Sequence, residues 1–463
     1  MRNHFLRSIT LAAVALVTAL LSPAHADTHA ATRYAPQPYS TVVNAEWSRN
    51  AAIYQINTRQ FTKEGTLRAA EKELPRLKEL GVGIIWLMPI HPIGQVKRKG
   101  ELGSPYAVQD FFKVNPELGT LDDMKRFVAS AHKLDLHVIL DWVGNHTAWD
   151  NVLRKEHPDW YLLDRKGQPR PTPWFDWDDI IELDYGQPAV REYMTRALRY
   201  WVKEVGVDGY RADAAGFVPQ DFWDNAAAEL RAIKPVFLLA EWESRDMHAR
   251  AFDASYSWTW FDSMKAIAEG HADATSLNAW YAWNEKFYPR NAYRMLYVTN
   301  HDKNSWEGTE FEIFGDALDA SIALSVISEG IPLMYNGQEA GNRRRLKFFE
   351  RDPIAWTPSR YGALYRDLFT LKKSNTALWN GQWGADMEPV ISDSPKQVLS
   401  FVRQNARDKV FAVFNLSARP AAVKFAGDLH IGRYRDWSSG QPAEFKAGDG
   451  MTLAPWSYKL YVR

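Results

Sequence analysis

The chain has 463 residues, with 56 basic and 56 acidic side chains, 20 tryptophans and no cysteine. Balanced charge removes the electrostatic case for a nucleic acid or an anionic membrane as partner. The lack of thiols excludes disulfides, cysteine nucleophiles and thiolate-bound metals, and a chain of this length buries enough surface to stand without covalent staples.

The N-terminus carries Arg2, His4 and Arg7, then an uncharged apolar run from Ile9 to Leu21, then Pro23 and the small-x-small site Ala24-His25-Ala26. This is the anatomy of a secretory signal peptide cleaved after Ala26; the run is too short and wrongly flanked for a stable anchor. The expected location is therefore periplasmic or secreted, with no membrane association after cleavage. Residues 27–44 are polar, contain Pro36 and Pro38, and read as a linker.

From Ala45 onward short apolar runs alternate with helical patterns. Ile53–Ile56 reads as a strand, Leu67–Leu80 as a helix, and Val82–Ile90 as a strand buried on both faces. A helix starts at Thr120, with Asp122 and Asp123 in its first turn where acidic groups favour the dipole. Strands follow over Leu136–Val143, Gly209–Asp213, Val236–Glu241, Arg294–Thr299 and Ile331–Tyr335. Helices are expected over Pro188–Val205, Asp221–Ile233 and Ala317–Ser328. Seven or eight such units over residues 45–376 predict an α/β fold of the closed (β/α)8 TIM barrel type. Residues 147–187 hold no clear helix but do hold Trp149, Trp160, Trp174 and Trp177. A long loop of this kind is usually functional. From Ala377 to Arg463 the helical period gives way to short alternating strands, predicting a small antiparallel β-sandwich domain.

Charged and polar residues close several of the runs. Asp141 and Asn145-His146 end the third strand, Arg211 and Asp213 the next, Glu241 the one after, and His301-Asp302 a later one. In a parallel barrel these ends meet at one rim. Buried charges cost several kcal/mol each unless paired or put to use. Converging carboxylates are what glycoside hydrolysis uses: one attacks the anomeric carbon or activates water, the other protonates the leaving oxygen. Asp110, Glu243 and Asp253 lack such context and read as structural.

The segments Asp141-Trp142-Val143-Gly144-Asn145-His146, Gly209-Tyr210-Arg211-Ala212-Asp213, Ala240-Glu241 and Asn300-His301-Asp302 resemble, in order, the four signature regions of the α-amylase family. Ser104-Pro105-Tyr106 and the stretch from Gly330 to Glu339 are similar to the same family. The resemblance implies Asp213 as nucleophile, Glu241 as general acid/base and Asp302 as the carboxylate that binds sugar hydroxyls. It implies that Arg211 keeps Asp213 ionised, that His146 and His301 donate to sugar hydroxyls, that Tyr106 stacks on the ring, and that Asp141 holds the hydrogen-bond network. The implied activity is an exported, monomeric, retaining hydrolase of internal α-1,4 bonds in starch-type glucans. An exo-acting glucosidase, a maltooligosaccharide or cyclodextrin hydrolase, and a glucanotransferase are the alternatives within the family. No organic cofactor is implied, but a calcium ion is, with Asn145 among its ligands. One departure stands out. Many members carry a Lys-His pair ending four residues after the nucleophile, where this chain has Ala214-Ala215-Gly216-Phe217. Contacts to the leaving group must therefore differ, and Trp242 with Trp174 and Trp177 is the expected replacement by stacking. A carbonyl at Phe217 is what remains of that part of the calcium site.

Overall fold

The computed structural model describes residues 34–463, so the leader read over residues 1–26 and the first part of the linker lie outside the described residues. Residues 40–463 form one unit.

Along the chain, β1 (Ile53–Ile56), β2 (Ile84–Leu87) and β3 (His137–Val143) are followed by a short antiparallel pair, β4 (His146–Ala148) and β5 (Ile180–Glu182). Then come β6 (Gly209–Asp213), β7 (Phe237–Ala240), β8 (Ala254–Tyr256), β9 (Tyr293–Leu296) and β10 (Ile331–Tyr335). All but β4 and β5 are parallel and close into an eight-stranded barrel. Nearly every barrel-strand residue is buried, as strands covered on both faces require.

Most of the predicted elements form. The helix starting at Thr120 runs over Leu121–Lys133 behind a capping box in which Thr120 and Asp123 satisfy each other's backbone N–H. Three readings need correction. The single helix expected over 67–80 is two, Leu67–Glu71 and Leu74–Leu80. Pro75 sits in the first turn of the second, where its missing N–H costs nothing. The sixth barrel strand, Ala254–Tyr256, has no apolar run to announce it, being three residues long and preceded by a charged stretch. The insertion after β3 is not structureless. It contains the β4–β5 ribbon and a short helix, Val152–Glu156, capped by Asn151, whose side chain accepts from the Leu153 N–H.

Beyond the last barrel helix (Arg360–Ser374) lie β11 (Met387–Pro389), β12 (Val398–Gln404), β13 (Lys409–Asn415), β14 (Ala421–Lys424), β15 (Gly432–Asp436), β16 (Pro442–Phe445), β17 (Gly450–Leu453) and β18 (Tyr458–Val462). Six of them make an antiparallel sheet, and β14 pairs with β17 as a separate ribbon. The period-2 alternation decides what each face covers. On β13, Val410, Ala412 and Phe414 join the barrel's core. The intervening Phe411 and Val413 pack with the ribbon residues Val423 and Leu453. Arg403, fully buried on β12, donates to the carbonyls of Ile327, Ser328, Trp379 and Ala385 and so ties the sheet to the barrel. No described helix is long and apolar enough to cross a membrane.

Candidate active site

The barrel brings the predicted acidic residues to one rim. The register pairs Asp141 with Arg211 and Val143 with Asp213 across β3 and β6, and β7 lays Ala240 beside Ala212, delivering Glu241 one step further on. Arg211 is wholly buried at the centre. Its Nη1 donates to Asp141 Oδ1 at 2.7 Å and to Asp213 Oδ1 at 2.8 Å. Its Nη2 lies 2.7 Å from Glu241 Oε1, an ion contact whose N–H is not aligned for a hydrogen bond. The guanidinium thus faces three carboxylates, with its Nε also donating to Tyr256 Oη at 3.3 Å. A planar fork is the side chain for that task, since it presents separate N–H groups in fixed directions.

Burial and charge pull these groups in opposite directions. Loss of water pushes Asp213 and Asp141 up to about 6 and Glu241 up to about 8, against the downward pull of Arg211. Glu241 also accepts the Ala214 N–H at 2.7 Å. Ala214 itself has φ 42°, a left-handed conformation unusual for a residue with a Cβ. Asp302 is the most exposed of the four acids, at 43%, and sits 3.5 Å from His301 Nε2.

A cavity of about 630 Å³ opens above them, lined by Tyr106, His146, Asp213, Glu241, His301 and Asp302, with Trp177 and Phe348 on its walls. Tyr106 donates to Asp141 Oδ2 at 3.0 Å, and its ring stacks on His301 and Phe348. Burial holds His146 and His301 down to about 4, so both rings are neutral at working pH. Lys99 reaches across the rim from the segment after β2, 3.3 Å from Asp178 and 3.7 Å from Asp179 of the insertion.

Trp242 is placed differently from the expectation. It lies beside the cavity rather than in it, with its indole flat on Gly216. A Cβ at Gly216 would fall 2.1–2.5 Å from three atoms of that ring. The missing Lys-His side chains are thus matched by an indole occupying the room a side chain at 216 would need. Phe217 meets the same ring edge-on at 5.4 Å. Phe175 stacks on Trp177 at 4.2 Å, while Trp174 is fully exposed.

Asn145 and Phe217 border a second cavity of about 640 Å³. Its lining offers a calcium ion a single carboxylate. The nearby carboxylate, Glu182, is already paired with Arg170 at 3.0 Å, and the nitrogen end of the Asn145 amide lies 3.3 Å from Thr172 Oγ1 and 3.2 Å from His146 Nδ1. Among the described residues no three acidic or histidine groups cluster to hold a metal, whereas calcium takes 6–8 oxygens.

Sequence reasoning missed Gln55, Trp86 and Tyr256, which bond to His301, Asp141 and Arg211 respectively. The legible signal was Gln55, a lone amide inside a strand buried at every position. The three acids read as structural are paired: Glu243 with Arg294, Asp253 with Arg231 and Asp110 with Lys113.

The family described as "Alpha amylase, catalytic domain" matches residues 43–356, more than half of the chain. The chain belongs to the α-amylase family of glycosidases. Residues 389–460 match the family described as "Maltogenic Amylase, C-terminal domain". The α-amylase MalA of Haloarcula japonica is 28% identical over 84% of this chain, which spans 59% of that relative's length. Among solved structures, the noncanonic maltogenic α-amylase AmyB from Thermotoga neapolitana aligns with a TM-score of 0.82 at 29% identity, covering 89% of this chain and 98% of that one. An α-amylase from Lactobacillus plantarum aligns at 0.80 and 30% identity, covering 90% and 99%.

Proposed function

We propose that this family member is an exported, monomeric, retaining hydrolase that cleaves internal α-1,4 bonds of starch-type glucans. The observation that carries this reading is Arg211 facing Asp141, Asp213 and Glu241 at one barrel rim. Asp213 attacks the anomeric carbon from one side while Glu241, held protonated by burial, delivers its proton to the leaving oxygen. With the sugar held covalently on Asp213, Glu241 then takes a proton from water, which displaces the ester with overall retention. His146, His301 and Asp302 hold the hydroxyls of the reacting sugar, and Tyr106 stacks on its face.

The test is hydrolysis of a maltoheptaoside blocked at its non-reducing end. Mid-sized fragments are expected. No cleavage, with an unblocked oligosaccharide still consumed, would replace the endo reading with an exo-acting one. The C-terminal match to a maltogenic amylase family favours that second reading, with short products.

Two further results are expected. Trp242→Ala should raise KM for long oligosaccharides about fivefold, the worth of a stack of ~1 kcal/mol. Gly216→Ala should do the same without touching the indole's chemistry, because the backbone there accepts any residue and only the ring must move. An unchanged KM in both would remove Trp242 from substrate binding. Dialysis against EDTA should leave kcat unchanged and shift Tm by under about 1 °C, whereas an ion present at 100 times its Kd would add about 2.7 kcal/mol.

A further inference from the structure

The hydrogen bonds of the site continue past the carboxylates into the first barrel strand. Gln55, on β1, is completely buried. Its Oε1 lies 3.3 Å from the backbone N of His301, and its Nε2 lies 2.7 Å from His301 Nδ1. A backbone N–H can only donate, so the oxygen end of the amide belongs there. The other end is an NH2 group, which also can only donate. Nδ1 must therefore accept, and a neutral imidazole that accepts at Nδ1 carries its proton on Nε2. That nitrogen faces the pocket, 2.7 Å from Tyr106 Oη and 3.5 Å from Asp302. The donors and acceptors then run one way: Gln55 to His301, His301 to Tyr106, and Tyr106 to Asp141.

We propose that Gln55 is a positioning residue that fixes the tautomer of His301, keeping its single proton on Nε2 where a substrate hydroxyl can take the hydrogen bond that Tyr106 holds in the free enzyme. With the other tautomer, Nε2 would be a lone pair pointing at Asp302 and at the sugar. It could then accept from a hydroxyl but not donate to one. A glutamine whose role was only to fill the strand would be replaced without loss by methionine, which has similar length and no polar atom to spare. The assignment of the hydroxyl as ligand rests on the glycosidase reading; the tautomer does not.

The experiment is two-armed. Enzyme carrying 15N-histidine is examined by long-range 1H–15N correlation without substrate, with the His301 signals assigned by their loss in His301→Ala. Wild type should show His301 protonated at Nε2 alone. In Gln55→Glu the carboxylate can only accept, so Nδ1 should gain a proton. The groups facing the ring are then the new carboxylate, Asp302, Tyr106, Asp141 and Arg211, and the acids among them favour the doubly protonated ring. In Gln55→Met both tautomers should appear. The second arm is kcat/KM on maltoheptaose, expected to fall at least tenfold in Gln55→Glu and severalfold in Gln55→Met. Should Gln55→Glu not fold, Gln55→Met alone decides. A His301 that stays protonated only at Nε2 in the folded variants, or a wild-type ring protonated at Nδ1, overturns the proposal. Because the first arm uses no substrate, failure of the glycosidase reading shows up only in the second, as a wild type that leaves maltoheptaose intact.

Discussion

Asp213→Asn should lower kcat on maltoheptaose by roughly 10⁴-fold or more, the loss seen when a covalent nucleophile is removed. It should do so without unfolding the protein, because asparagine keeps the shape and still accepts the 2.8 Å hydrogen bond from Arg211. Glu241→Gln should cost several orders of magnitude on the same substrate, but far less on α-maltosyl fluoride, whose leaving group needs no proton. An active Asp213→Asn enzyme would overturn the mechanism. The pH profile follows from the same two groups. kcat/KM should rise through about pH 6 as Asp213 ionises and fall through about pH 8 as Glu241 loses its proton. In Glu241→Gln, assayed on the fluoride, the alkaline limb should vanish while the acid limb remains. Persistence of the alkaline limb would assign it to another group.

Arg211→Met is the second large effect. It leaves Asp141, Asp213 and Glu241 buried around an apolar side chain with their shared cation gone. Removing one partner from a buried ion cluster costs about 3–5 kcal/mol. The loss should depend on pH in a fixed direction. Burial already raises all three acids, and without Arg211 they rise further. The folded state then binds protons that the unfolded state has released, so stability is full below the ordinary carboxyl range and falls as pH climbs through the raised values. The gap in Tm between Arg211→Met and wild type should therefore be small near pH 4 and widen toward pH 8. A gap that stays constant across that range would mean that the guanidinium's packing, rather than its charge, holds the site. Arg211→Lys should recover part of the stability but little activity, since an ammonium cannot serve three carboxylates in the directions the fork does.

The barrel was legible because buried parallel strands leave nearly continuous apolar runs, as in Val82–Ile90, and because Asp141, Asp213 and Glu241 interrupt or close such runs with charge. Ala254–Tyr256 was not, for the opposite reason: it is three residues long, small and polar at its centre, and its place is set by its neighbours β7 and β9 rather than by its own pattern. The acidic residues could be found one at a time along the chain, yet nothing in the linear order says that one guanidinium serves three of them, which depends on register across β3, β6 and β7. Trp242 follows the acid/base in the sequence, but its seat on Gly216 is a contact between two separate loops that no local pattern announces. Asn145 shows the reverse failure. The residue matches its motif, while the partners that decide its role, Thr172, Glu182 and Arg170, sit in an insertion with no pattern of its own.

The contact between Gly216 and Trp242 also restricts how this loop can be rebuilt. A side chain at 216 is incompatible with the indole as it lies, so even a methyl group there must displace the ring. A long residue after the nucleophile would need far more room than a methyl group, and that room lies where the Trp242 indole sits. The two positions are therefore coupled in space, and an engineer who grafts a longer loop here would do well to change position 242 first.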